Sequence, residues 1–131
     1  MSQSASEVVL DASALLALLN GEPGAEVVDE HMDGAVISAV NLSEVVAKLG
    51  DGGMPTESVR SALAELKLQI HAFDTAQAFA AGELRIKTRH LGLSLGDRAC
   101  LALARQLARP VLTTDGAWKK LRIGIEVRPI R

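Results

Sequence analysis

Short apolar runs alternate with helix-periodic segments along most of the chain. Val8-Val9-Leu10 closes on Asp11 and is followed by Ala14-Leu15-Leu16-Ala17-Leu18-Leu19, a run of strong helix formers, which predicts a strand and then a helix. Asn20-Gly21-Glu22-Pro23-Gly24 stops that helix, and Ala25–Met32 predicts a second, short one before Gly34. Ala35-Val36-Ile37 predicts the second strand, after which Leu42, Val45, Val46 and Leu49 recur at helical spacing up to Gly50-Asp51-Gly52-Gly53. A helix opening near Pro55-Thr56 carries Val59, Leu63 and Leu66 on one stripe, and Gln69–Phe73 predicts the third strand. Asp74-Thr75-Ala76-Gln77 has the form of a capping box for an Ala-rich helix reaching Arg89. A further helix over Leu95–Ala108, a fourth strand at Pro110-Val111-Leu112-Thr113, a turn around Trp118 and a last strand near Ile125–Arg128 complete the pattern.

Short apolar strands between helices predict an α/β fold with a mostly parallel central sheet covered by helices on both faces. Right-handed crossovers bring the carboxyl ends of parallel strands to one edge, where ligands bind. Three acids fall there: Asp11 ends strand one, Glu44 lies in the first turns after strand two, and Asp115 follows strand four. A fourth, Asp97, opens the helix before strand four, and the pattern alone leaves open which end of that helix faces the edge. Each acid also has a local structural role to play. Asp11 suits an N-cap, Asn41-x-x-Glu44 and Ser94-x-x-Asp97 have capping-box spacing, and Asp115-Gly116 suits a turn.

If all four converge, their repulsion has to be offset. Two unit charges about 4 Å apart repel by roughly 4 kcal/mol at an effective dielectric of 20, against a total stability of about 5–15 kcal/mol. An all-oxygen donor set suits Mg²⁺ or Mn²⁺, one ion or two, rather than Zn²⁺. His31, His71 and His90 are far apart and form no ligand pair. Ser13 and Thr114 are placed to hydrogen-bond a ligand carboxylate or to cap a helix.

Charge adds a second hint. Residues 1–84 hold 3 basic and 13 acidic side chains, whereas residues 85–131 hold 11 and 3, so an overall charge of −2 conceals an acidic and a basic half. A carboxylate-held divalent ion beside a basic surface suits phosphodiester hydrolysis, since such an ion activates water and offsets charge on the scissile phosphate. Arg85, Lys87, Arg89, Arg98, Lys119, Lys120 and Arg122 are the candidates to hold an RNA backbone, with a solvated surface as the plain alternative.

Length and composition narrow the field further. At 131 residues and 48% hydrophobic content the expectation is one domain over residues 1–131, with 1–6 a flexible polar start. Aromatics are only 2%, which excludes a sheet face of stacking rings. The lone Cys100 excludes an internal disulfide and reads as a buried small hydrophobe; with no leader or membrane-spanning run, the expected location is the cytoplasm. A phosphatase that needs Asp-x-Asp after strand one is excluded by Asp11-Ala12-Ser13, and neither glycine-rich nucleotide motif occurs, so no nucleotide cofactor is expected.

Four motifs together, Val9-Leu10-Asp11-Ala12-Ser13-Ala14, Ser38-Ala39-Val40-Asn41-Leu42-Ser43-Glu44-Val45, Leu93-Ser94-Leu95-Gly96-Asp97-Arg98-Ala99-Cys100-Leu101-Ala102 and Leu112-Thr113-Thr114-Asp115-Gly116-Ala117-Trp118, resemble the PIN-domain family, specifically the VapC-type toxins of bacterial toxin–antitoxin pairs. The resemblance implies a sheet of order 3-2-1-4-5 and a Mg²⁺- or Mn²⁺-dependent endoribonuclease whose catalytic and metal-binding acids are Asp11, Glu44, Asp97 and Asp115. It also implies a homodimer and a small VapB-like antitoxin that covers the active-site groove. Ala14–Leu19 and the Val59/Leu63/Leu66 stripe are candidate partner surfaces, with core packing as their alternative. The competing functional reading is a catalytically inactive PIN-like module that only binds a protein or RNA.

Overall fold

The computed structural model describes residues 7–131; the expected flexible start over 1–6 lies outside the described residues. Five strands, β1 (Val9–Leu10), β2 (Val36–Ser38), β3 (Gln69–His71), β4 (Val111–Thr113) and β5 (Val127–Pro129), form one sheet in the order β3-β2-β1-β4-β5. Every pairing is parallel, with Leu10 opposite Ile37 on one side and Leu112 on the other. Six helices connect them: α1 (Ala12–Asn20), α2 (Ala25–Glu30), α3 (Ala39–Asp51), α4 (Thr56–Glu65), α5 (Thr75–Thr88) and α6 (Leu95–Leu107). The expected α/β architecture and strand order are both present.

The sheet separates two cores because its central strand is apolar on both faces. Leu10 joins Leu15, Val28, Ile37 and Val45 in the core under α1 to α4. Val9, its neighbour in sequence, turns the other way to meet Leu101, Leu103 and Trp118 under α5 and α6. A strand of two residues buried on both sides cannot slip register without taking the Asp11 carboxylate away from its hydrogen-bond partners, so the end of β1 is firmly placed.

Local departures from the sequence reading have local causes. The third strand stops at His71, and Phe73 packs instead against the second core. The last strand is shifted to Val127–Pro129, where an edge position tolerates the missing N–H of Pro129. Trp118 lies in a 3-10 turn over 116–120 yet is fully enclosed. On α1, Ala14, Leu15 and Ala17 are buried and Leu16, Leu18 and Leu19 pack against the same core, so this helix supports the fold rather than a partner surface. Among the described residues no helix is long and apolar enough to cross a membrane.

Candidate functional site

Asp11 leaves β1 as the N-cap of α1 and is only 6% exposed. Its Oδ1 accepts hydrogen bonds from the Ala14 N–H at 2.8 Å and the Ser13 hydroxyl at 2.7 Å, and its Oδ2 accepts from the Thr113 hydroxyl at 2.5 Å. The Thr113 oxygen accepts in turn from the Asp115 N–H at 3.0 Å, and the Ser13 oxygen from the Thr114 N–H at 3.0 Å. The side chains of Asp11 and Ser13 after β1 and of Thr113 in β4, with the Thr114 backbone N–H, thus lace β1 to β4. Burial pushes the Asp11 carboxyl above its usual pKa; the three hydrogen bonds pull it back and the charge of Asp97 adds to the rise.

Glu44 arrives on α3, whose N-cap is Ser38, its hydroxyl accepting from the Val40 N–H at 3.2 Å. Asn41 and Glu44 therefore do not form a capping box. The buried amide of Asn41 donates instead to Glu44 Oε1 at 3.0 Å and to the Gly96 carbonyl at 3.0 Å. At α6 the capping box is present: the Ser94 hydroxyl accepts from the Asp97 N–H at 3.1 Å and Asp97 Oδ2 accepts from the Ser94 N–H at 3.0 Å. Capping and a site role are compatible here, because each carboxylate oxygen has a second lone pair.

Asp11, Glu44 and Asp97 line one pocket of about 390 Å³, together with Ser13, Asn41, Lys48 and Asp51. Cys100 lies beneath it, fully buried as expected, and burial followed by the charges of Asp11, Asp97 and Glu44 pushes its thiol well up. Asp115 is not among the lining residues. It is exposed and caps the 116–120 turn, its carboxylate accepting from the Ala117 N–H at 3.0 Å. The pocket itself brings together three of the four acids, while the Asp115 carboxylate caps the short turn after β4. The three carboxylates share a pocket without forming a closed cage: among the described residues, no three His, Cys, Asp or Glu side chains are gathered tightly enough to hold an ion together. An open, oxygen-only donor set on rotatable side chains matches the chemistry of hard divalent cations.

The basic candidates divide. Arg98 is a correction: it is 8% exposed and its guanidinium donates to the Ala81 carbonyl at 2.9 Å, tying α6 to α5 rather than facing solvent. Arg85, Lys87 and Arg89 are exposed at the end of α5, and Arg85 and Arg89 line a separate hollow of about 180 Å³. Lys119, Lys120 and Arg122 are exposed just past Asp115. The cation that lines the acidic pocket is Lys48, which the sequence reading passed over.

Thr113 and Asn41 were passed over too. The hydroxyl on Asp11 belongs to Thr113, while Thr114 contributes its backbone N–H to Ser13. A signal for α3 was available: Asn41, Glu44, Lys48 and Asp51 fall at positions i, i+3, i+7 and i+10, one face of a helix.

The PIN domain family pattern matches residues 8–124. A VapC ribonuclease of Mycobacterium bovis and ribonuclease VapC42 of Mycobacterium tuberculosis are each 33% identical to this chain over 115 residues, which is 80% of this chain and 88% of theirs. Among solved structures, DNA-bound VapBC from Salmonella typhimurium is similar with a TM-score of 0.73 and 17% identity, covering 95% of this chain and 98% of that one. A toxin–antitoxin complex from Klebsiella pneumoniae is similar with a TM-score of 0.71 and 21% identity over the same shares. At those identities the likeness is one of fold.

Proposed function

This chain belongs to the PIN-domain family and to its VapC-type branch, and on that premise we propose that it is a Mg²⁺- or Mn²⁺-dependent endoribonuclease, the toxin of a toxin–antitoxin pair, working in the cytoplasm. The observation that carries the reading is the meeting of Asp11, Glu44 and Asp97, brought from three separate segments to one pocket at the carboxyl edge of the sheet. A cation in the pocket would relieve the cost of keeping the buried Asp11 ionised beside the charge of Asp97.

Asp11, Glu44 and Asp97 would hold the ion or ions, with Asp115 the remaining member of the proposed catalytic set. A bound Mg²⁺ or Mn²⁺ supplies Lewis-acid activation of water for in-line attack on the phosphodiester. Thr113 and Ser13 keep Asp11 oriented toward the pocket. Lys48 places positive charge on the pocket wall, and the exposed Arg85, Lys87, Arg89, Lys119, Lys120 and Arg122 are the candidates for contacts to the RNA backbone.

For the antitoxin, the supporting feature is an apolar groove of about 630 Å³ between α3 and α4, lined by Leu42, Val46, Met54, Val59, Leu63 and Ile70. Val46 and Ile70 are 42% and 53% exposed, and Arg60 and Lys67 also line the groove, so an apolar helix bearing acids fits it. A homodimer belongs to the same proposal. Phe79 and Ile86, seven positions apart on α5, expose 67% and 74% of their surface on one helical face.

The test is a thermal melt with and without Mn²⁺ beside an assay of RNA cleavage. The wild-type chain is expected to melt higher with Mn²⁺ and to cleave RNA, and Asp97→Asn to lose both responses while keeping its fold. Indifference to both Mn²⁺ and Mg²⁺ would favour the inactive binding module.

A further inference from the structure

The buried Asn41 amide is committed in an uneven way. Both of its hydrogens are used, one on Glu44 Oε1 and one on the Gly96 carbonyl, each at 3.0 Å, and two acceptors on one nitrogen fix which end of the amide is which. Its oxygen, equally buried, has no partner among the described residues. A side chain selected for stability alone would satisfy that acceptor, since leaving a buried polar atom unpaired is costly. The first of these bonds stays within α3, and the second joins the first turns of two helices from opposite halves of the chain, 55 positions apart.

Gly96 supplies the other half of the arrangement. A Cβ built at this position would overlap both carboxylate oxygens of Glu44, so the carboxylate rests directly against the backbone of the first turn of α6. Gly96 is helical, and its backbone angle does not demand glycine. The requirement is close approach.

We propose that Asn41 and Gly96 form a clamp that positions the Glu44 carboxylate for the divalent ion, Asn41 by holding one oxygen from α3 and Gly96 by leaving the space on α6. This rests on the metal-site reading above. Asn41 is a positioning residue: it acts through Glu44 and not on the ion. Loss of such an outer partner typically costs 10–100-fold in metal affinity.

The experiment is Mn²⁺ titration by calorimetry on the full chain, with melting temperatures recorded in metal-free buffer. Asn41→Ala improves local helix propensity and is expected to stay folded while binding Mn²⁺ roughly tenfold more weakly. Gly96→Ala is the independent second variant, expected to weaken binding similarly by displacing Glu44. In a Glu44→Ala background, adding Asn41→Ala is expected to change Mn²⁺ affinity no further. An unchanged affinity in both Asn41→Ala and Gly96→Ala, or an equal further loss from Asn41→Ala when Glu44 is absent, overturns the clamp and leaves the metal site standing. Full-strength binding by Glu44→Ala alone removes Glu44 from the metal site and takes the clamp with it.

Discussion

The Thr113 hydroxyl donates to Asp11 Oδ2 at 2.5 Å, joining residues 102 positions apart at the ends of neighbouring strands. The same oxygen accepts the Asp115 N–H, so one small side chain ties Asp11 to the turn that follows β4. Thr113→Val keeps the shape and removes these bonds. It is expected to cost about 2 kcal/mol, seen as a fall in melting temperature of roughly 6 °C. Because this hydrogen bond holds the Asp11 pKa down, the pH at half-maximal Mn²⁺ binding is expected to rise in the variant, measurable by titration at several pH values.

Asp11 itself makes stability depend on pH. Burial raises its folded-state pKa above the unfolded value, so the folded protein binds the extra proton between the two. Its ionisation therefore opposes folding above the folded pKa, and that penalty is relieved as pH falls through it. Asp11→Asn is expected to melt higher than wild type in metal-free buffer near neutral pH, with the advantage shrinking as pH enters the carboxyl range. A series of melts across pH measures this.

Asp97 lines the pocket and Asp115 does not. Asp97→Asn is expected to abolish the Mn²⁺-induced rise in melting temperature, and Asp115→Asn to retain most of it while losing activity to a smaller degree. Melts with Mn²⁺ and RNA cleavage rates on the two variants separate a member of the pocket from a neighbour of it.

Among the basic side chains, burial decides the outcome. Lys119→Ala, which removes an exposed cation, is expected to flatten the dependence of log RNA affinity on log salt by about 0.7. Arg98→Ala removes the hydrogen bond to the Ala81 carbonyl and leaves a gap between α5 and α6, so it is expected to lower the melting temperature with the salt slope unchanged. Filter binding over a range of salt, beside melts, reads both.

Val46 and Ile70 border the α3–α4 groove and are well exposed, so replacing them costs little folding energy. Val46→Asp with Ile70→Asp is expected to leave the melting temperature nearly unchanged and to weaken antitoxin binding more than tenfold, a loss above about 1.4 kcal/mol. Co-purification and calorimetry with the co-expressed antitoxin check it.

Much of this molecule is legible in one dimension because its elements are short and strongly patterned. The runs Val8–Leu10 and Pro110–Thr113 have no amphipathic alternative, and an acid directly after such a strand in a parallel sheet is carried to the carboxyl edge by topology alone. That is enough to pick out Asp11, with Glu44 a little further along the next helix, and the capping roles of Asp11 and Asp97 depend on neighbours within a few positions; the place of Asp97 at that edge follows from the family resemblance and not from the pattern. Tertiary structure alone decided which hydroxyl reaches Asp11, that Arg98 turns inward, that Asp115 faces its own turn, and that Asn41 bonds to Gly96. Those outcomes depend on side-chain direction and on contacts between segments dozens of residues apart, whereas sequence periodicity specifies only the face of an element and not the partner that face will meet.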